Sequence, residues 1–396
     1  MTNPPTPPNR IAPSAKVLAG LLCACLLAAV GVLAQSVWAG TTTRARAAAG
    51  AEAASSAVLA LHVSGNGLFT AQGRRVVLRG VNRAGGEYAC VHGQGIWDGP
   101  MGQASVTAMK SWNVNAVRVP LNEACWNGES YVQPQYRGAN YRRAVAAYVR
   151  LLNRNGIAAI LDLHFTDGLY TGLHAHCKTT SEAVCQKPMP DAGQAIPFWT
   201  SMAKTFENNN AVIFDVFNEP FPERVTGEAR AWKCWLRGGG FCTGMGIDYQ
   251  VAGMQSLVTA IRSTGARNVI ILGGLAYADD LTGWLAHAPR DPAHNLAVSW
   301  HSYSWNACVT ASCWESQVAP VIARIPVIAG EIGESGCADT FVDRLARWLD
   351  AHSAGYLAWA WNSDFDCSAG PGLITSYSGS PTPYGAGFRS HLISLR

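Results

Sequence analysis

Two glutamates occupy matching places in this sequence. Glu219 closes the run Val212-Ile213-Phe214-Asp215-Val216-Phe217-Asn218-Glu219-Pro220, and Glu331 closes Pro326-Val327-Ile328-Ala329-Gly330-Glu331. Each follows a short apolar stretch of strand composition and precedes a breaker or a turn. Parallel α/β barrels keep their reactive groups at such strand ends. Two carboxyl groups facing one bond suit cleavage of a glycosidic linkage. Positive charge develops at the anomeric carbon and negative charge on the departing oxygen, so one carboxyl must carry a proton and the other must be ionised and attack. Two like charges held close push one pKa up, which helps divide the roles.

Other chemistry-bearing residues recur at the same position of successive runs: Arg118, His164, Asn218, His301, Tyr303 and Trp359. Singly, each has an ordinary structural explanation. Glu219 could cap a helix starting near Pro220. Glu331 could be a loop carboxylate, with Glu334 a nearby rival. Arg118 could serve a structural ion pair. The histidines and the two aromatics could be core residues, and Asn218 a turn residue. Recurrence at successive strand ends argues for a common site.

The elements that would position them alternate. Strand candidates are Val76–Val81, Ala116–Pro120, Ala158–His164, Val212–Asn218, Val269–Leu275, Ala297–Tyr303, Pro326–Glu331 and Gly355–Trp361. Helical spacing of apolar residues marks Tyr141–Asn155, with Gly156 as a stop, and also Val251–Ser263 and Thr340–His352. Alternation of continuously apolar strands with helices implies parallel strands and crossover helices. The expected fold is an α/β (β/α)8 TIM barrel. A short N-terminal β-hairpin, Leu61 to Phe69 with the following Gly73-Arg74-Arg75, precedes it. An open doubly wound sheet is the competing architecture. Gly80-Val81-Asn82-Arg83-Ala84-Gly85-Gly86 lacks the phosphate-turn fingerprint usual there.

The ordered set Arg118-Val119-Pro120, Leu163-His164, Asn218-Glu219-Pro220, His301-Ser302-Tyr303, Gly330-Glu331 and Trp359-Ala360-Trp361 resembles glycoside hydrolase family 5, the cellulase family, of the retaining (β/α)8 clan. The resemblance runs from about Val76 to Trp361, in the family's order. It implies Glu219 as acid/base and Glu331 as nucleophile. It further implies that Arg118 and Tyr303 hydrogen-bond Glu331, and that Asn218 binds the sugar 2-hydroxyl. His164 and His301 would hold the sugar or Glu219, and Trp359 would face the sugar ring. The implied activity is double displacement on a β-linked glucan, as in endo-1,4-β-glucanases. β-Mannan, β-1,3-glucan or a glucosidic conjugate are alternatives, and no cofactor is required. Two readings of other classes compete: a carbohydrate-binding protein without catalysis, which should lack a carboxylate, and a metal hydrolase using the histidines.

The bulk numbers set the frame. The chain has 396 residues, 48% hydrophobic and 14% charged, too apolar for disorder and ample for a large core. Net charge is +4, and Arg10 and Lys16, which precede the first apolar run, account for two of those charges, so no basic field argues for nucleic acid. Residues 1–39 read as a signal peptide, with Val17–Ala34 as the apolar core and cleavage after Ala39, or as a membrane anchor if uncleaved. Residues 40–57 read as a flexible linker, and 58–396 as one catalytic domain, expected to be a monomer outside the cell or tethered to its surface.

Ten of the 12 cysteines lie beyond the apolar run. An even number in an exported chain suggests disulfides. The expected pairs are Cys90–Cys125, Cys177–Cys185, Cys234–Cys242, Cys308–Cys313 and Cys337–Cys367; zinc competes weakly, since no C-x-x-C occurs. His174-Ala175-His176 has a metal-like alternation beside Cys177, and Trp97, Trp126, Trp305 and Trp314 are candidates for a sugar cleft or for burial in loops.

Overall fold

The computed structural model describes residues 59–168, 170, 186–244 and 247–396. The N-terminal segment, His174, His176, Cys177 and Cys185 lie outside the described residues. Strands β1 (Leu61–Ser64), β2 (Gly67–Thr70) and β3 (Arg75–Val76) form an antiparallel sheet. The first turn uses Gly65 at φ 57°, a backbone conformation that suits glycine. Strands β4 (Arg79–Asn82), β5 (Ala116–Asn122), β6 (Ala158–Phe165), β7 (Val212–Asp215), β8 (Ile270–Gly273), β9 (Leu296–Tyr303), β10 (Val327–Gly333) and β11 (Gly355–Ala358) close into an all-parallel barrel. Each neighbours the next in sequence, and β11 pairs back onto β4.

All eight expected strands are present, with adjusted bounds. The run Val76–Val81 is two strands, not one. Val76 belongs to the N-terminal sheet, while the Asn115 side chain binds the Val77 carbonyl and the Arg79 N–H, separating the two pairings. The anticipated hairpin is therefore three-stranded. The expected helices appear at Ala139–Arg154, Met254–Ser263 and Thr340–Ala351. Ala139–Arg154 buries Tyr141, Val145, Tyr148 and Leu152 on one face, and Gly156 at φ 74° follows it.

Period-two alternation sorts the barrel side chains. Ala116, Ala158, Ile160, Ile213, Ile271, Ala297, Ile328 and Leu357 pack together inside the barrel, joined by Leu61 and Leu68 of the N-terminal sheet. Their strand neighbours, such as Val117, Leu161, Phe214, Trp300 and Tyr356, pack outward in the larger core that includes the helices. Continuing the inward series toward the strands' C-terminal ends leads to Arg118, Asp162 and His164, Asp215, His301 and Tyr303, and Trp359. The apolar lower layers leave one polar face, and that face holds the candidate site.

Four of the expected disulfides are present: Cys90–Cys125, Cys234–Cys242, Cys308–Cys313 and Cys337–Cys367. Among the described residues no helix is long and apolar enough to cross a membrane.

Candidate active site

Arg118 is the hub of the polar layer. It is fully buried, and its guanidinium meets five partners. Nε donates to Asp215 Oδ2 at 2.8 Å, and Nη1 to Glu331 Oε1 at 2.6 Å and Asn82 Oδ1 at 3.1 Å. Nη2 donates to Asn218 Oδ1 at 2.9 Å and reaches Asp162 Oδ2 at 3.0 Å. Register explains the gathering: Asp162 pairs across to Asp215 on β7 and to Pro120, two residues along β5 from Arg118. Burial works against Arg118's charge, but Asp162, Asp215 and Glu331 more than offset it, so its pKa lies above the ordinary arginine value.

Glu331 is held from two sides. Tyr303 Oη donates to its Oε2 at 2.5 Å, opposite the Arg118 contact on Oε1. Burial first, then the Glu331 and Glu219 charges, push the Tyr303 phenol well above its usual range, so it remains a donor. A bulge sets Glu331's height. Ala329 pairs with Trp300 while Glu331 pairs with the next residue, His301, leaving Gly330 unpaired. A Cβ on Gly330 would stand 2.7 Å from Ser299 Oγ and 3.0 Å from His301 Nε2, so a larger residue would displace one of those side chains.

Glu219 is positioned by the peeling of its strand. The β7 ladder stops at Asp215; Val216 N–H then bonds the Ile271 carbonyl and Asn218 N–H the Leu163 carbonyl. Glu219 adopts φ 47°, uncommon for a residue with a Cβ and characteristic of functional positions. Gln186 Nε2 donates to the carbonyls of both Asn218 and Glu219, at 2.7 and 2.8 Å. His301 Nδ1 lies 3.1 Å from Glu219 Oε1 and 3.7 Å from Glu331 Oε2. Carboxylate oxygens of Glu219 and Glu331 and a ring nitrogen of His301 lie within 4.8 Å of one another.

One cation faces four carboxyl groups here, and full ionisation of all four is unfavourable. Burial raises Glu219 to about 7, with His164 and Arg118 pulling the other way. Burial likewise raises Asp162 to about 7 and Asp215 to about 6, each opposed by Arg118. His164 and His301 are both lowered to about 4, chiefly by burial, and are neutral at pH 7. His164 Nδ1 meets Asp162 Oδ2 at 2.7 Å, which holds the ring's orientation.

A cavity of about 640 Å³ opens above these groups, in the range of small-ligand sites. His164, Asn218, Glu219, Tyr303, Glu331 and Trp359 line it; Arg118 and His301 lie beneath, buried. Trp359 stacks on His164 at 5.4 Å between centroids. Of the four tryptophans weighed for a cleft, Trp305 lines the cavity, 58% exposed and stacked on Tyr303. Trp126 and Trp314 are fully buried, and Trp97 packs against Tyr141 and Tyr148, so these three serve the core. Glu334 accepts the Val342 N–H at the start of the Thr340–Ala351 helix, away from the cavity lining.

Sequence reasoning missed Asp162 and Asp215. Their signal was present: a charged residue at an inward position of an otherwise apolar strand. Gln186, Arg224 and Tyr277 also line the cavity. Gln186 lies outside any element, and Arg224 and Tyr277 sit in four-residue helical turns, Glu223–Thr226 and Leu275–Ala278, too short for a period to mark them.

The comparisons bear on family and fold. A family model described as Cellulase (glycosyl hydrolase family 5) matches residues 69–365. Endoglucanase 1 of Robillarda sp. (strain Y-20) is 25% identical over 221 residues, covering 47% of this chain and 51% of that protein, so the match spans about half of its length. A mannan endo-1,4-beta-mannosidase of Salipaludibacillus agaradhaerens is 19% identical, over 76% of this chain and 82% of its own. Among solved structures, a beta-glucanase from Saccharophagus degradans, also solved in complex with cellotetraose, superimposes with a TM-score of 0.64 at 20% identity. It covers 85% of this chain and 93% of that one, and the likeness is one of fold.

Proposed function

The chain belongs to glycosyl hydrolase family 5, the cellulase family, and on that premise we propose that it is a retaining glycosidase that cleaves β-linked glucan by double displacement. Glu331 attacks the anomeric carbon while Glu219 gives its proton to the departing oxygen, leaving a glycosyl ester on Glu331. Glu219 then takes a proton from water, which attacks the same carbon and frees Glu331.

The carrying observation is the spacing: oxygens of Glu219 and Glu331 within 4.8 Å. Retaining enzymes hold their carboxyls about 5–5.5 Å apart, whereas inverting ones leave about 6.5–9.5 Å for a water. The neighbours support the division of roles. Burial keeps a proton on Glu219 up to about pH 7, and two donors stabilise charge on Glu331. Arg118 occupies the Asn218 carbonyl, leaving its amide for the sugar 2-hydroxyl. Neutral His301 orients Glu219 through Nδ1.

β-1,4-Glucan is the first substrate reading, from the endoglucanase relative; β-1,4-mannan is the second, favoured by the mannosidase relative. The N-terminal residues would export or anchor a monomeric catalytic domain, consistent with four disulfides. The test is proton NMR of the first anomer released from soluble glucans, mannans and aryl β-glycosides. A β-anomer is expected; first release of the α-anomer, or no hydrolysis across the series, would reject the reading.

A further inference from the structure

The cavity is one-sided. Its lining comes from the ends and loops of β6 to β11, and among the described residues none comes from β4, β5 or the loops that follow them. In barrel order β4 and β5 lie between β11 and β6. His164 of β6 and Trp359, just past β11, stack on each other across that gap. The loop after β4 is cross-tied to its surroundings. Cys90 is disulfide-bonded to Cys125, and Tyr141 Oη donates to the Gly86 carbonyl at 2.6 Å. Asp98, its side chain 4% exposed, is filled on both oxygens. Oδ1 accepts from Arg83 at 2.8 Å and Tyr377 at 3.3 Å, and Oδ2 from Tyr88 at 2.5 Å and from Asn362. A sugar subsite presents free acceptors; both Asp98 oxygens are already taken by side chains of this chain.

The chemistry orients the closed side. A leaving oxygen must lie within hydrogen-bond reach of the acid, so the aglycone lies toward Glu219. The room that remains is there: Gln186, Arg224 and Tyr277 follow β6, β7 and β8, and exposed Trp305 stands beyond Tyr303. The glycone therefore points at the walled quadrant of β4, β5 and β11.

Resting on the retaining-glycosidase reading, we propose that the glycone side admits a single sugar ring, so that the enzyme removes one residue at a time from the non-reducing end of a β-linked chain. The bond broken is the first glycosidic bond from that end; water supplies the hydroxyl to the released monosaccharide and the proton returns to the shortened chain.

The test uses the wild-type full-length protein with 4-nitrophenyl β-glucoside, β-cellobioside, β-mannoside and β-mannobioside, and with reducing-end-labelled cellotetraose and mannotetraose. The monoglycoside of the accepted sugar should release nitrophenolate at once. Its disaccharide partner should release free monosaccharide first and nitrophenolate only after a lag, with an initial nitrophenolate rate at least tenfold lower. The labelled tetraose should lose one unlabelled monosaccharide, the label staying in the trisaccharide. Immediate nitrophenolate from the disaccharide glycoside, or disaccharide as first product of the tetraose, would overturn the proposal while leaving the hydrolase reading intact. No cleavage of any of these probes would overturn both.

Discussion

Arg118 and Arg83 are both wholly buried at the same end of the barrel, yet their surroundings are opposite. Arg118 uses all three nitrogens, on Asp215, Glu331, Asn82, Asn218 and Asp162. Arg83 has one carboxylate, Asp98, binds the Ala84 carbonyl through the same Nη1, and lies 4.4 Å from the Tyr377 ring centroid; its Nε and Nη2 have no recorded partner. A guanidinium encircled by acids can hold one of them ionised while the others share the cost of burial. A guanidinium matched to one acid and laid on a ring neutralises that acid and ties loops together. The same residue type thus gathers several acids on one side of the barrel mouth and pairs with a single acid on the other.

Four perturbations would sharpen or break this contrast, and the largest is expected on the reactive side. Glu331→Gln removes the attacking charge and should lower kcat by at least about a thousandfold with an unchanged circular dichroism spectrum. Appreciable turnover by the purified variant would show that Glu331 is not the nucleophile. Arg118→Lys keeps the charge but loses the planar fork, and a loss of roughly a hundred- to a thousandfold in kcat is expected. A Lys variant as active as wild type would mean that charge alone, not geometry, matters there.

On the closing side, the effect should appear as stability. Asp98→Ala would strand the Arg83 charge in the interior, at about 3–5 kcal/mol in denaturant unfolding. An unchanged unfolding midpoint would contradict the clamp. The smallest effect concerns pH. Glu219 is raised from 4.5 to about 7, so its acid form is present below that value and lost as pH rises through it. The alkaline limb of kcat/KM should fall near pH 7, and Glu219→Ala should abolish that limb on an activated 2,4-dinitrophenyl glycoside. An alkaline limb that persists in the variant would assign it to another group.

Much of the reactive side was legible beforehand because strand ends are periodic. Arg118, His164, His301, Tyr303 and Trp359 each lie an even number of residues from an inward apolar position, and so face the same interior. Glu331 departs from that rule. The Gly330 bulge resets its register, and a glycine before a glutamate was the trace of it in the sequence. The walled side was not legible. Arg83, Tyr88 and Asp98 follow β4, while Asn362 follows β11 and Tyr377 lies in the turn after Ile374–Ser376, 264 to 279 positions from their partners, and such residues carry no period to follow.

Apolar alternation and strand-end residues determined the barrel and the shared end of the candidate carboxyl pair, and the even set of cysteines indicated covalent ties without fixing their pairing, because each depends on spacing along the chain. The separation of the two carboxyls, the proton that burial keeps on Glu219 and the closure beside β4 and β5 were decided only by the tertiary structure. Those depend on distance and desolvation, and the closed barrel sets both by bringing residues far apart in sequence into a shared interior.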